Sequence, residues 1–314
     1  MEAKTNKIPI PDFPQPRQAS RFMNPFTDMG FKRIFGQEAN KDLLLDFLNE
    51  LLDGEDRIAD VQFLDKEIIR GNEQKRGIIY DVFCRTADGK YLIIEMQASS
   101  QKAYRERAIY YSGKALSRQG TPGEGWDFDQ LAAVYSINFL NFVLLGKFRS
   151  DILLMDRDTQ QVFSTKQRFI FLEFPLFRKK EQECKTDFER WIYILKHMET
   201  LNRIPFQPMK AIFERLAKVT NVESLTPDER YAYERDLKAY RDYKAQMDYA
   251  IEEGFDKGMR KGMKEGIEKG IEKGIEKGIE KEKMRNAKAM KEIGIEAEKI
   301  AQVTGLPIQD IEKL

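Results

Sequence analysis

The chain has 314 residues, and its 53 Lys and Arg against 52 Asp and Glu give a formal net charge of +1 at pH 7. This balance argues against nucleic-acid binding driven by overall charge, so any such binding requires a local basic patch. One histidine and two distant cysteines, Cys84 and Cys184, argue against a disulfide framework, a CxxC metal site and histidine-based nuclease chemistry. The sequence shows neither an apolar leader nor a run of about 18 apolar residues, which predicts a cytoplasmic protein without a membrane segment.

The predicted elements begin after a proline-rich start, and residues 1–21 are expected to be a disordered arm. Leucines at helical spacing in "NKDLLLDFLNELLDG" predict an amphipathic helix that ends at Gly54. Apolar, β-branched and aromatic runs then predict a strand in "IADVQFLDKEII" and two strands in "GIIYDVFCRTADGKYLIIEMQ" (77–97). A helix in "QKAYRERAIYYSGKALSRQ" and strands in "QLAAVYSINFLNFVLL" and "QRFIFLEFPLF" follow. This order predicts an α/β core over residues 22–180, with a mixed central sheet and flanking helices.

The C-terminal part predicts helices of a different character. Residues 181–250 are charged and helical, and Thr226 before Pro227 predicts a helix start. In residues 251–283, glycine recurs at every fourth position from Gly254 to Gly278, and an apolar residue follows each glycine. A period of four exceeds the helical 3.6, so the apolar stripe rotates around the axis and an isolated helix is marginal. This segment is either a self-association or partner-docking helix, in which glycine permits close approach, or a solvated spacer.

The last residues, 284–314, predict a small pair of helices with helix-turn-helix-like spacing. The second helix has no excess of basic residues, which favours an assembly module over a DNA-reading one.

Two acidic residues, Asp81 and Glu95, fall inside the apolar strands of residues 77–97. A buried carboxylate needs a charged partner, strong hydrogen bonds or a metal. A two-residue turn would place the pair on opposite faces of the sheet, whereas a three-residue loop ending at Gly89 makes Asp81 face Glu95, with Gln97 on the same face. Facing carboxylates either bind Mg²⁺ or Mn²⁺ or are neutralised by an arginine, for which the candidates are Arg76, Arg105 and Arg107.

An Asp followed on the next strand by Glu-x-Lys is the signature of the PD-(D/E)XK nuclease superfamily. The version that ends in Glu-x-Gln, here "IIEMQ", resembles the Rpn family of recombination-promoting nucleases, also called putative transposases. Six other stretches are similar to the same family: "FTDMGFKRIFG", "LLLDFLNELL", "FLDKEI", "KRGIIYDVFC", "RAIYYSGKAL" and "VYSINFLNF". The resemblance covers about residues 24–145 and implies a restriction-endonuclease-like core.

The resemblance also implies site residues. Asp81 and Glu95 would be the metal ligands, for Mg²⁺ or Mn²⁺, and Gln97 would take the place of the superfamily lysine as the third catalytic residue. Gln97 is neutral, so it could orient water or phosphate but not act as a general base. The residues implied to contact DNA are Arg107 and Tyr110, or Tyr111 in its place, together with Lys75 and Arg76 before the Asp81 strand.

The function implied is that of a Mg²⁺-dependent DNA endonuclease, a phosphodiester hydrolase acting in recombination or in mobile elements. The expected partners are DNA and further copies of the chain, which would associate through the C-terminal helical region. The alternative is a catalytically weak DNA-binding or assembly protein that uses the nuclease fold as a scaffold and the glycine-repeat tail as its interface.

Overall fold

The computed structural model describes residues 20–55, 57–65, 67–68, 78–120 and 125–314. The chain divides into two compact units, Met1–Lys244 and Ala245–Leu314. The arm predicted over residues 1–21 lies almost entirely outside the described residues, as do Lys75 and Arg76.

Within the described residues, the first unit is built on a six-stranded sheet of order β1-β4-β5-β6-β8-β7. The strands are β1 (Val61–Phe63), β4 (Val82–Thr86), β5 (Tyr91–Gln97), β6 (Val134–Leu140), β7 (Arg149–Met155) and β8 (Val162–Glu173), and the short β2 (Glu67–Ile68) and β3 (Ile78–Ile79) form a separate ribbon. The three neighbours β5, β6 and β8 are parallel, and the other pairs are antiparallel. The predicted mixed α/β sheet is confirmed.

Two strand predictions differ from the structure in detail. The stretch "IADVQFLDKEII" contains two elements, β1 and β2, which belong to different sheets. The edge strand β7 was not predicted, because most of its side chains are exposed and Asp151 interrupts its apolar run. An edge strand has only one neighbour and needs no continuous apolar sequence.

Helices cover both faces of this sheet. The helices are α1 (Asp28–Phe35), α2 (Lys41–Leu51), α3 (Tyr104–Ser117), α4 (Asp187–His197), α5 (Ala211–Thr220) and α6 (Pro227–Glu292). On one face, Ala115 of α3 clusters with Ile93 and Val134. On the other face, Phe139 of β6 contacts the rings of Phe31 and Phe47 at 5.2 and 5.1 Å. The alternation along β5 and β6 therefore assigns Glu95, two residues after Ile93, to the α3 side.

The helix α6 begins at the predicted residue. The backbone N–H of Glu229 donates to Thr226 Oγ1 (3.3 Å), and Thr226 N–H donates to Glu229 Oε2 (2.9 Å). This reciprocal cap satisfies two backbone donors that a helix start leaves unpaired.

The second unit contains the rest of α6 and two short helices, α7 (Ala297–Thr304) and α8 (Ile308–Glu312). Ala287, Ile300 and Ile311 form its small core. The glycine repeats are helical throughout, and each apolar residue that follows a repeat glycine is between 54% and 65% exposed. None of the helices in the described ranges combines the length and apolar composition that a membrane-spanning segment requires.

Candidate metal and nucleic-acid site

The β4–β5 hairpin has the three-residue loop. Thr86 N–H donates to the Lys90 carbonyl (2.8 Å), and Gly89 adopts φ +93°, a conformation that glycine accepts without a steric penalty. The register pairs Val82 with Ile94 and Arg85 with Tyr91. Continued by one residue, this register places Asp81 opposite Glu95, as the three-residue alternative predicts.

The two carboxylates are tied to each other's backbone at the end of the sheet. Met96 N–H donates to Asp81 Oδ2 (2.9 Å), and Asp81 N–H donates to Glu95 Oε1 (3.3 Å). Glu95 is only 4% exposed, whereas Asp81 is half-buried. Asp81 Oδ1 has no hydrogen-bond donor within the described residues, so one carboxylate oxygen remains available to a ligand.

The electrostatics of the pair disfavour two negative charges. Burial, followed by the charge of Asp81, raises the pKa of Glu95 to about 8. Burial also raises the pKa of Asp81. Two α1 residues act on Asp81 as well: Lys32 lowers its pKa and Asp28 raises it, while the two form an ion pair of 2.7 Å with each other. The site therefore favours a cation beside the pair.

Arg107 supplies one such charge. Its Nη2 lies 3.3 Å from Glu95 Oε2, and its Nη1 donates to Gln101 Oε1 (2.9 Å). Its guanidinium carbon lies 5.3 Å and 5.2 Å from the ring centroids of Tyr104 and Tyr111. Of the three arginines considered from the sequence, Arg105 instead donates to the Leu144 carbonyl (2.9 Å), and Arg76 is outside the described residues.

The other predicted site residues are less closely connected to the carboxylates. Gln97 is buried on the same strand face as Glu95, and its Nε2 lies 3.4 Å from Ser99 Oγ. Tyr110 is exposed, with Lys114 Nζ 5.6 Å from its ring centroid. The ring beside Arg107 on α3 is that of Tyr111 rather than Tyr110.

A buried polar contact next to the site was not predicted. Tyr104 Oη donates to Asn138 Oδ1 (2.9 Å), and Asn138 lies opposite Glu95 in the parallel β5–β6 pair. The signal in the sequence is Ser136 and Asn138 inside the otherwise apolar "VYSINFL". This contact fixes the ring against which Arg107 rests.

The residues present fit a hard divalent cation. Mg²⁺ binds proteins through one or two carboxylates and keeps several waters or phosphate oxygens. Within the ranges that the structure describes, no group of three or more His, Cys, Asp or Glu side chains could hold a metal ion. Asp81 and Glu95 would therefore share the cation with water and substrate oxygens.

Comparison with known proteins identifies the family of the chain. A family model described as PD-(D/E)XK nuclease family transposase matches residues 25–250. The chain belongs to this family. The match extends past the strand that ends at Glu173 and includes α4, α5 and the start of α6. No curated protein and no solved structure matches the chain.

A first prediction for this member of the family concerns Glu95→Gln in EDTA. The folded-state pKa of Glu95, about 8, exceeds the ordinary value of 4.5, so the wild-type protein loses stability as pH rises from about 4.5 through 8. The variant lacks this loss, and at pH 8 we expect it to be more stable by about 1–3 kcal/mol, or several degrees in Tm.

The measurement is thermal unfolding at pH 5 and pH 8. The gain should nearly vanish at pH 5, and Glu106→Gln, an exposed change on α3, should show no gain at either pH. A Glu95→Gln protein that is less stable than wild type at pH 8 would contradict the destabilising role of this carboxylate.

Proposed function

We propose that this protein is a Mg²⁺-dependent DNA endonuclease that hydrolyses phosphodiester bonds in recombination or in mobile-element movement. The observation that carries the proposal is the facing pair Asp81 and Glu95 at the end of the sheet. Glu95 is buried and Asp81 is half-buried, the pKa of each is raised, and Asp81 Oδ1 has no hydrogen-bond donor within the described residues. Membership in the PD-(D/E)XK nuclease family transposase group supports a nuclease-like or transposase-related role.

Each residue has a role in the proposed reaction. Asp81 and Glu95 hold the cation, which when bound would supply positive charge and a water of lowered pKa. Gln97, which is neutral, donates or accepts hydrogen bonds to orient water or phosphate. The DNA is contacted by Arg107, Tyr110, Lys75 and Arg76.

The test is nicking of supercoiled plasmid with Mg²⁺, Mn²⁺ or EDTA. We expect metal-dependent nicking that falls at least about 100-fold in Asp81→Asn and in Glu95→Gln, because each change removes a charge on which transition-state stabilisation depends. Glu106→Gln should nick like the wild type. Equal nicking by Asp81→Asn and the wild type would remove the carboxylate pair from the mechanism.

A second candidate is a catalytically weak DNA-binding or assembly protein. Two observations favour it: a neutral Gln97 stands where the superfamily has lysine, and Arg107 already pairs with Glu95. It predicts DNA binding without metal-dependent cleavage. Gel-shift titration beside the plasmid assay separates the two, since binding with intact plasmid supports this candidate.

We also propose that copies of the chain associate through the second unit. The repeat residues Ile267, Ile271 and Ile275 are more than half exposed, and nothing lies within 4 Å of a Cβ placed on the adjacent glycines. The repeats from Gly262 to Lys281 each carry one Lys and one Glu, so they add no net charge that would keep two copies apart. A helix with this much exposed apolar surface gains stability by burying it.

Light scattering coupled to size exclusion tests this association. Replacing Ile267 and Ile275 with serine should lower the oligomeric mass, because the apolar stripe is interrupted. Replacing Glu268 and Glu276 with serine is the matched control and should leave the mass unchanged. A monomeric wild-type protein at tens of micromolar would contradict the association.

A further inference from the structure

The Arg107 side chain lies against the same carboxylate that the proposed cation would bind. Arg107 Nη2 is 3.3 Å from Glu95 Oε2. Glu95 is buried, so in the absence of a divalent cation this arginine is the counterion that makes its negative charge tolerable.

The guanidinium of Arg107 also lies against two aromatic rings. Tyr104 and Tyr111 are three residues before and four residues after Arg107, so all three share one face of α3. Tyr104 is buried and fixed through Asn138. Aromatic rings attract a cation without using its N–H donors, so these donors remain available for oxygen acceptors.

The contact with Glu95 is loose compared with another arginine in the same unit. Arg168 makes two contacts with Asp151 at 2.8 and 2.6 Å and a third with Glu55 at 2.6 Å, and its side chain is 12% exposed. Arg107 makes one contact with its carboxylate, longer than the usual 2.7–2.9 Å of a charge-assisted hydrogen bond, and its side chain is 29% exposed. Its Nε has no acceptor within the described residues. Arg168 has the contacts of a structural ion pair, and Arg107 has those of an exchangeable one.

We propose that Arg107 is a displaceable counterion, an inference that rests on the proposed function. Arg107 pairs with Glu95 when no metal is bound, and it turns to a DNA phosphate oxygen when a divalent cation binds Glu95. In this position it supplies the positive charge that Gln97, standing in the place of a lysine, cannot supply. The Tyr104 and Tyr111 rings keep the guanidinium close to the site during the exchange.

The proposal predicts opposite effects on metal binding and on cleavage. Removing a positive charge beside Glu95 removes a competitor and a repulsion, so a divalent cation binds more tightly. The same change removes the group that stabilises charge on the phosphate, so cleavage slows. A purely structural role would weaken both.

The experiment measures Mn²⁺ affinity at pH 8 by electron paramagnetic resonance and single-turnover cleavage at saturating Mn²⁺. For Arg107→Met we expect about 3–10-fold tighter Mn²⁺ binding and about 10–100-fold slower cleavage. Arg107→Lys keeps the charge and should restore part of the cleavage rate. Arg105→Met, on the same helix but bonded to the Leu144 carbonyl, is the matched control and should change neither quantity more than about twofold.

Weaker or equal Mn²⁺ binding by Arg107→Met, or cleavage at the wild-type rate, would overturn the proposal. Arg107→Gln is the second neutral variant if Arg107→Met does not fold. Failure of both neutral variants to fold would show that the pair is structural and would also overturn it.

The endonuclease proposal can fail separately. Suppose that the wild-type protein binds Mn²⁺ and that Asp81→Asn does not, but that the wild-type protein cleaves no DNA. The endonuclease proposal and the phosphate-binding step then both fail. The counterion exchange at Glu95 is then decided by Mn²⁺ affinity alone: tighter binding by Arg107→Met supports it, and weaker or equal binding overturns it.

Discussion

Replacement of Glu173 with alanine should destabilise the first unit by about 3–5 kcal/mol, the cost of breaking a buried, fully bonded charged group. Glu173 is completely buried at the end of β8. Its Oε1 accepts from Leu145 N–H (2.8 Å), and its Oε2 accepts from Leu144 N–H (2.9 Å) and Gly146 N–H (3.1 Å). The alanine variant leaves these three donors without their acceptor.

Denaturant unfolding measures this loss. Glu173→Gln keeps the shape but turns an N–H₂ group toward N–H donors, so we expect a smaller but clear loss of about 2 kcal/mol. Glu181→Ala, an intermediate-exposure change outside the loop, should stay within about 0.5–1 kcal/mol of wild type. A Glu173→Ala protein as stable as wild type would mean that water replaces the carboxylate in full.

The loop held by Glu173 also reaches the candidate site. Asn141 N–H donates to the Gln97 carbonyl (3.0 Å), and the Leu144 carbonyl accepts from Arg105. Loss of Glu173 should therefore lower any metal-dependent cleavage as well as stability, because the end of β5 loses the support of the loop that bonds to Gln97.

Gly30→Ala should have a comparable effect, a loss of about 3 kcal/mol or more, because overpacking against backbone cannot be relieved by a side-chain rotation. A Cβ at Gly30 would lie 2.1 Å from the Asn24 carbonyl oxygen and 2.8 Å from Thr27 Oγ1. Both atoms belong to the turn that starts α1, in which Thr27 Oγ1 donates to the Asn24 carbonyl (2.8 Å) and accepts from Gly30 N–H (3.1 Å). The turn must open to accept the methyl group.

Gly113→Ala on α3 is the matched control, since nothing lies within 4 Å of a Cβ placed there. It should raise stability by about 0.5–1 kcal/mol, because alanine is the better helix former. Thermal unfolding should thus move in opposite directions for the two variants. Equal melting temperatures for Gly30→Ala and wild type would contradict the close approach of α1 to the Asn24 turn.

Local patterns in the sequence were sufficient for much of the fold and for the main site candidates. The leucines of α2 recur at helical spacing and pack into the core, and Thr226 and Pro227 mark the start of α6. Asp81 and Glu95 stood out because acids are costly inside apolar strands. Such features depend on residues close in sequence, where side-chain period and capping chemistry are decided by local geometry.

Tertiary structure alone decided the rest. The hairpin loop permitted two registers, and only the folded sheet shows that Asp81 faces Glu95. Three arginines were candidates for Glu95, and the orientation of α3 selects Arg107 while Arg105 turns to the Leu144 loop. The edge strand β7 and the need for glycine at position 30 depend on neighbours distant in the chain or on the path of a turn. The physical reason is that periodicity reports which face a residue occupies, whereas its partner is chosen by the packing of segments that the sequence does not place side by side.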